Sequence, residues 1–256
     1  MPRQWSAVVA LILVLAACSA APERTASGRS VESGPSTPTA TATASRSAGP
    51  ARASAPDEEE LPAYLASVQP IGRALRDRMR FSHSPGCPLG WAELRHLRFG
   101  FVGFDGEAHM GEMVIHRDHA VAVAEAFEQL YEARWPIRQV RLVDDFEGDD
   151  DRSMAANNTS GYNCRRVAGS SSWSEHAYGA AIDINPVQNP YVTRTSVAPP
   201  AGRPFASIDR SAGRALPIGV IGEDDVVVRA FEGIGWQWGG DWSDSKDYQH
   251  FSATGR

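Results

Sequence analysis

His176 and Asp183 stand seven residues apart in the segment Ser174-Glu175-His176-Ala177-Tyr178-Gly179-Ala180-Ala181-Ile182-Asp183. Far downstream, Asp247-Tyr248-Gln249-His250 follows the Trp/Gly-rich stretch Trp236-Gln237-Trp238-Gly239-Gly240-Asp241-Trp242. An imidazole offers a neutral nitrogen, and an aspartate offers a hard anionic oxygen that offsets part of a metal's charge. Two imidazoles and one carboxylate are the donor set of a catalytic zinc site, which keeps its fourth position open for water; a structural zinc site closes all four. Asp247, three residues before His250, is then a base for that water, since a fourth protein ligand would fill the open position. Taken singly, each residue has an ordinary reading: a surface histidine, turn aspartates, a partly buried core histidine. Together they read as the centre of a metal-activated hydrolase.

The chain must fold so that these side chains meet. His176 and Asp183 cannot share one helical face at adjacent turns, so they are expected on a loop and the strand after it, with Gly179 turning between them. The apolar run Ala180-Ala181-Ile182 predicts a buried strand over 179–184 that carries Asp183 to its exposed end. Trp236–Trp242 and Tyr248–Ser252 are expected as a final strand pair. Upstream, Leu97–Val102 and Glu112–His116 flank the hairpin signal in Gly103-Phe104-Asp105-Gly106. Asp118 to Trp135 is the best helix, with Asp118 as its cap and Pro136 as its stop. Its stripe is Ala120, Ala122, Val123, Ala126, Phe127, Leu130 and Tyr131. Leu61–Met79 has helix-like spacing broken at Pro70, Ile137–Val143 and Gly161–Val167 read as strands, and Asp224–Gly233 reads as a short helix. Strands and helices mix without a βαβ rhythm. The expectation is an α+β domain over 60–256 with a largely antiparallel sheet flanked by helices.

The first residues of the 256-residue chain are not expected to belong to that fold. Arg3 precedes the apolar run Ala7–Leu15, which is too short for a membrane-spanning helix and reads as an export signal. Leu15-Ala16-Ala17-Cys18 resembles the lipobox of bacterial lipoproteins, giving a signal peptide over 1–18 and a lipidated Cys18; the alternative is an ordinary signal peptide with an incidental cysteine. Residues 19–59 are rich in Ser, Thr, Ala and Pro, and lack the apolar bulk to offset ordering entropy. They are expected to be a disordered tether reaching roughly 35 Å from the outer face of the cell membrane. The net charge of −6 is modest. Much of it lies in acidic runs, Asp57–Glu60 and Asp144–Asp151, read as solvated loops, with a calcium site in the second as the alternative. Neither balance nor pattern suggests a nucleic-acid partner. With Cys18 lipidated, Cys87 and Cys164 are an even pair in an exported domain and predict a disulfide; the alternative makes Cys164 a zinc ligand.

Ser174, His176, Gly179, Ala181 and Asp183, followed by Asp247 and His250, resemble the VanY-like family of zinc D-alanyl-D-alanine carboxypeptidases and L-alanyl-D-glutamate endopeptidases. The segment Asn158–Arg165, and the earlier Phe104-Asp105-Gly106 with His109 and Gly111-Glu112, resemble one branch of it. The resemblance implies the small α+β fold of these peptidases and of hedgehog-like domains. It implies zinc on His176, Asp183 and His250, Asp247 as catalytic base, Ser174 as a hydrogen-bonding group for substrate, and a peptidoglycan stem peptide as substrate for a monomer. It also implies an arginine for the scissile carbonyl or oxyanion. The family often has Gly-Tyr-Arg-Ser where this chain has Gly161-Tyr162-Asn163-Cys164-Arg165-Arg166. Arg165 is the choice, with Arg152 and Arg166 as competitors. Trp173, Tyr178, Trp238 and Trp242 line the cleft or simply pack the core. Carboxypeptidase and endopeptidase stay open, and the rival from another class is a zinc- or wall-binding lipoprotein without catalysis.

Overall fold

The computed structural model describes residues 60–256. The expected signal peptide, Cys18 and the tether lie outside the described residues. The strands are β1 (Ala66–Pro70), β2 (Leu94–Val102), β3 (Ala108–His116), β4 (Ala181–Asp183), β5 (Tyr191–Val192), β6 (Val197–Ala198), β7 (Gln237–Trp238), β8 (Lys246–Asp247) and β9 (His250–Ser252). The helices are α1 (Arg73–Arg78), α2 (Ala120–Glu132), α3 (Asp150–Ala155) and α4 (Val226–Gly233). The class is α+β, and every named strand pair is antiparallel. The strands divide into three small sheets, ordered β1-β2-β3, β4-β9-β7 and β6-β5-β8.

The first sheet and the site sheet share one core. Alternation along β2 and β3 turns Leu97, Phe99, Phe101, Met113 and Ile115 to one face, where they are buried. There α2 lays down Val123, Ala126, Phe127 and Leu130. Phe127 stacks on Phe99 at 4.2 Å between ring centroids and meets Phe231 of α4 edge-on at 5.8 Å. Phe231 in turn stacks on Phe251 of β9 at 4.7 Å. This aromatic chain runs from the hairpin to the strand that carries His250, so the site rests on rigid packing.

Several expectations are corrected. The stretch before Pro70 is the strand β1, with Val68 opposite Leu97, and the helix starts only after the proline. Asp118 does not cap α2. His119 holds that position without a side-chain cap, and the Asp118 carboxylate turns to His116 and Arg117. Residues 137–143 make only the isolated bridge Val140↔Thr159. Asparagine side chains take the bonds a partner strand would make: Arg138 N–H donates to Asn185 Oδ1, and Arg141 N–H to Asn158 Oδ1. Gly161–Val167 is not a strand because its amides go to different elements, Tyr162 to Val114, Asn163 to His176 and Cys164 to Ser82. Trp236–Trp242 is strand only at β7, then a 3-10 turn over Gly239–Asp241.

Cys87 and Cys164 form the expected disulfide across a separation of 77 residues. Closing such a loop stabilises the fold by about 4 kcal/mol in the chain-entropy picture. It also removes Cys164 from the possible metal ligands. No helix among the described residues is long and apolar enough to cross a membrane.

Candidate metal centre

Two antiparallel strands put Asp183 and His250 directly opposite each other, in the β4–β9 register. Directly paired side chains on one face stand about 5 Å apart at Cβ, within reach of one ion. His176 arrives from a 3-10 turn over Glu175–Tyr178. Ser174 caps that turn, its Oγ accepting the His176 N–H at 3.3 Å. Gly179 then reverses the chain at φ +58°, where a Cβ would lie 2.5 Å from the His116 nitrogen. Only glycine fits there, and this tight turn delivers the chain into β4.

The three side chains converge and are buried. One donor atom from each lies within 4.8 Å of the others. His176 Nε2 is 3.2 Å from Asp183 Oδ2, and His250 Nδ1 is 3.0 Å from Asp183 Oδ1, so each carboxylate oxygen faces one ring. The far nitrogen of each ring meets a backbone carbonyl: His176 Nδ1 at Gly161 O, 2.7 Å, and His250 Nε2 at Arg256 O, 2.8 Å. A carbonyl only accepts, so these far nitrogens carry the hydrogens. In the neutral rings that leaves lone pairs on His176 Nε2 and His250 Nδ1, both aimed at carboxylate oxygens. Electron-rich atoms so placed need a cation between them, either protons or a metal. His176 Nε2 is buried with no hydrogen-bond partner, which suits a metal-ligating nitrogen. Imidazole–carbonyl bonds of this kind orient metal ligands and fix their tautomers.

The electrostatics follow the geometry. Burial would raise Asp183, but the charges and hydrogen bonds of His176 and His250 outweigh it and hold the carboxyl well below the usual range. Burial would lower His250, but the hydrogen bond and charge of Asp183 prevail and lift it to about 9. Asp247 reaches the group from β8, which pairs with β5 so that Asp247 faces Tyr191. Gly239 allows the close approach: a Cβ there would lie 2.6 Å from the Asp247 carbonyl oxygen and 3.3 Å from His250 Cβ. Asp247 Oδ1 is buried without a hydrogen-bond partner. Burial, reinforced by the Asp183 charge, pushes its carboxyl up to about 7. It stands in the field of His176, Asp183 and His250 without joining the three-residue cluster.

The three arginines separate. Arg152 pairs with Glu147 at the surface, and Arg166 lies over the Trp173 ring at 3.7 Å. Arg165 Nη2 bonds Asp150 Oδ2 at 2.7 Å, and the Asp150 carboxylate feels the charges of Asp183 and His176. Arg165 Nε is buried and unpartnered. Asp150 was not expected at the site. Its acidic run is corrected from solvated loop at two positions, since Asp144 accepts from the Phe81 and Ser82 amides and Asp150 turns inward. The one sequence signal was the tripled Asp149-Asp150-Asp151 at a helix start, where a single aspartate suffices as cap. Among the aromatics, Trp238 packs in the core, Trp242 lies 5.6 Å from the His250 ring, and Tyr178 is exposed.

Residues 168–253 match the model of a peptidase family described as D-alanyl-D-alanine carboxypeptidase. The match spans Ser174, His176, Asp183, Asp247 and His250, and bears out the VanY-like resemblance over that stretch; Arg165 and Asp150 lie outside it. Comparison with curated proteins and with solved structures returned no match.

Proposed function

We propose that this chain is an exported zinc peptidase that hydrolyses amide bonds in peptidoglycan stem peptides, as a D-alanyl-D-alanine carboxypeptidase or an L-alanyl-D-glutamate-type endopeptidase. The observation that carries the reading is the convergence of two tautomer-fixed imidazoles on one buried carboxylate, beside Asp247, whose Oδ1 has no hydrogen-bond partner. His176, Asp183 and His250 would hold the ion. Two nitrogens and one carboxylate oxygen suit zinc, which supplies Lewis acidity to polarise an amide carbonyl and acidify water.

The chain's own residues supply the rest. Asp247 takes a proton from the attacking water as the new C–O bond forms. It returns that proton to the leaving nitrogen as the C–N bond breaks, so no net proton is consumed in the step. A carboxyl lifted toward neutrality suits both halves of the exchange. Arg165 offers N–H donors to the oxygen on which charge develops. Ser174 holds the His176 turn through its oxygen and keeps its hydroxyl hydrogen for the substrate. Digesting purified sacculi with the protein and identifying new termini by mass spectrometry tests the reading. Free D-alanine marks a carboxypeptidase, and new internal amino termini mark an endopeptidase. Intact stem peptides after incubation with zinc-loaded protein would sink both.

Zinc binding should be strongly pH-dependent. The His250 nitrogen that must ligate holds its proton up to about pH 9 in the metal-free pair. Below that value each unit of acidification should weaken zinc binding about tenfold, because the ligand must first be deprotonated. The sign is opposite for folding of the metal-free protein. The raised folded-state value stabilises it fully below the ordinary histidine pKa, and this contribution is lost as pH rises through about 9. Competition titrations with a chromophoric chelator between pH 6 and 8 measure the slope; a flat profile would contradict the assignment of His250.

The same reading places the enzyme outside the cell on a Cys18 lipid anchor, with 19–59 as tether. Cys18→Ser is expected to abolish lipid modification and to move the protein from the membrane fraction to the soluble one. Undiminished membrane retention of the variant would remove the anchor from the account.

A further inference from the structure

The acidic residue beside the arginine has no role in the chemistry above, yet the fold takes trouble to place it. Asp149 performs the capping of α3, its Oδ1 accepting the Arg152 N–H at 3.0 Å. Asp150, next in line, is thereby free to turn inward, and its carboxylate meets Arg165 Nη2 at 2.7 Å with both side chains mostly withdrawn from solvent. The helix is braced on the site side: Met154 Sδ accepts from Gln249 Nε2 at 3.4 Å, one residue before His250. Ser153 Oγ accepts from Asn158 Nδ2 at 3.0 Å. The arginine's backbone is held as firmly. Cys164 is locked to Cys87, and the Arg165 carbonyl accepts the amide of Ser174, the cap of the His176 turn. Both ends of the Asp150–Arg165 pair are therefore fixed to the elements that carry the metal ligands.

We propose that Asp150 is a positioning residue: it holds the Arg165 guanidinium through Nη2 and leaves the other guanidinium donors for the substrate oxygen, and it balances a cation that would otherwise stand uncompensated beside a second one. The proposal rests on the metallopeptidase reading. A free arginine side chain samples many rotamers, and a dication nearby would repel it. A fixed carboxylate at Nη2 removes both difficulties and leaves the donors it does not take for the ligand. Asp150 acts only through Arg165, so its removal should cost nothing once the arginine is gone.

A double-mutant cycle on the full chain tests this, using Asp150→Asn, Arg165→Ala and the double variant, with kcat, KM, zinc stoichiometry and melting temperature measured for each. Ser153→Ala, which removes a helix-bracing bond away from the arginine, is the structural control. Asp150→Asn is expected to keep one zinc and to lose about 10- to 100-fold in kcat/KM, as a misplaced catalytic group does. The double variant should be no slower than Arg165→Ala alone. If the two effects multiply, or if Asp150→Asn matches the parent while Arg165→Ala is impaired, the positioning role is wrong. If Asp150→Asn does not fold, Asp150→Glu keeps the charge and carries the same cycle, its deficit disappearing in the Arg165→Ala background. An Arg165→Ala variant as fast as the parent overturns the arginine's role and Asp150's with it. A zinc-loaded parent inactive on every muropeptide instead overturns the metallopeptidase reading itself.

Discussion

Replacing His176 with alanine is expected to leave a folded chain that no longer holds stoichiometric zinc and shows no measurable muropeptide turnover. His176 is one of the three residues proposed to hold the metal and is buried, so no outside group replaces it easily. Apparent zinc binding energies of about 10–16 kcal/mol over four ligands give about 3 kcal/mol each, roughly 100-fold or more in affinity. The loss extends past the metal, since the Gly161 carbonyl loses its donor and Asp183 loses one of the two imidazoles that face it. Metal analysis after gel filtration reads the result. Unchanged zinc content would remove His176 from the site, and His250→Ala should behave in the same way.

Asp247→Asn should separate the metal from the proton. The ligands are untouched, so one zinc per chain is expected to remain. Size and much of the hydrogen-bonding capacity are also kept. Turnover should nonetheless fall by at least about 100-fold, the lower end of what a positioned proton-transfer group supplies. The loss is expected chiefly in kcat, because the base acts on the water rather than on substrate binding. If the variant cleaves as fast as the parent, Asp247 is not the base. Glu175, next to His176 in the same turn, then becomes the residue to replace.

The three residues of the candidate metal cluster were legible because each lies in a short segment whose residue types already favour a loop-to-strand transition: Gly179 before an apolar run, His250 before Phe251. Their meeting was not. Asp183 and His250 are 67 positions apart, and only the β4–β9 register makes them neighbours. Burial along 137–143 falls at Ile137, Val140, Leu142 and Val143 rather than at every second residue, and Asn158 and Asn185 took the place of a partner strand, a side-chain mimicry of a sheet that leaves no periodic signal. Which of the three arginines folds against the site could not be picked by type, since Arg152, Arg165 and Arg166 differ only in partners: Glu147, Asp150 and the Trp173 ring. Asp150 was hidden for the converse reason. An acidic run looks solvated until a cation 15 residues on is folded against one of its members.

The most direct measurement is the turnover of chelator-stripped protein on purified muropeptides as zinc is added back. The account predicts no cleavage without metal and a linear recovery that breaks at one zinc per chain, with zinc-loaded His176→Ala flat throughout. Cleavage that survives stripping, or a fully loaded protein that cleaves no wall peptide, would contradict it.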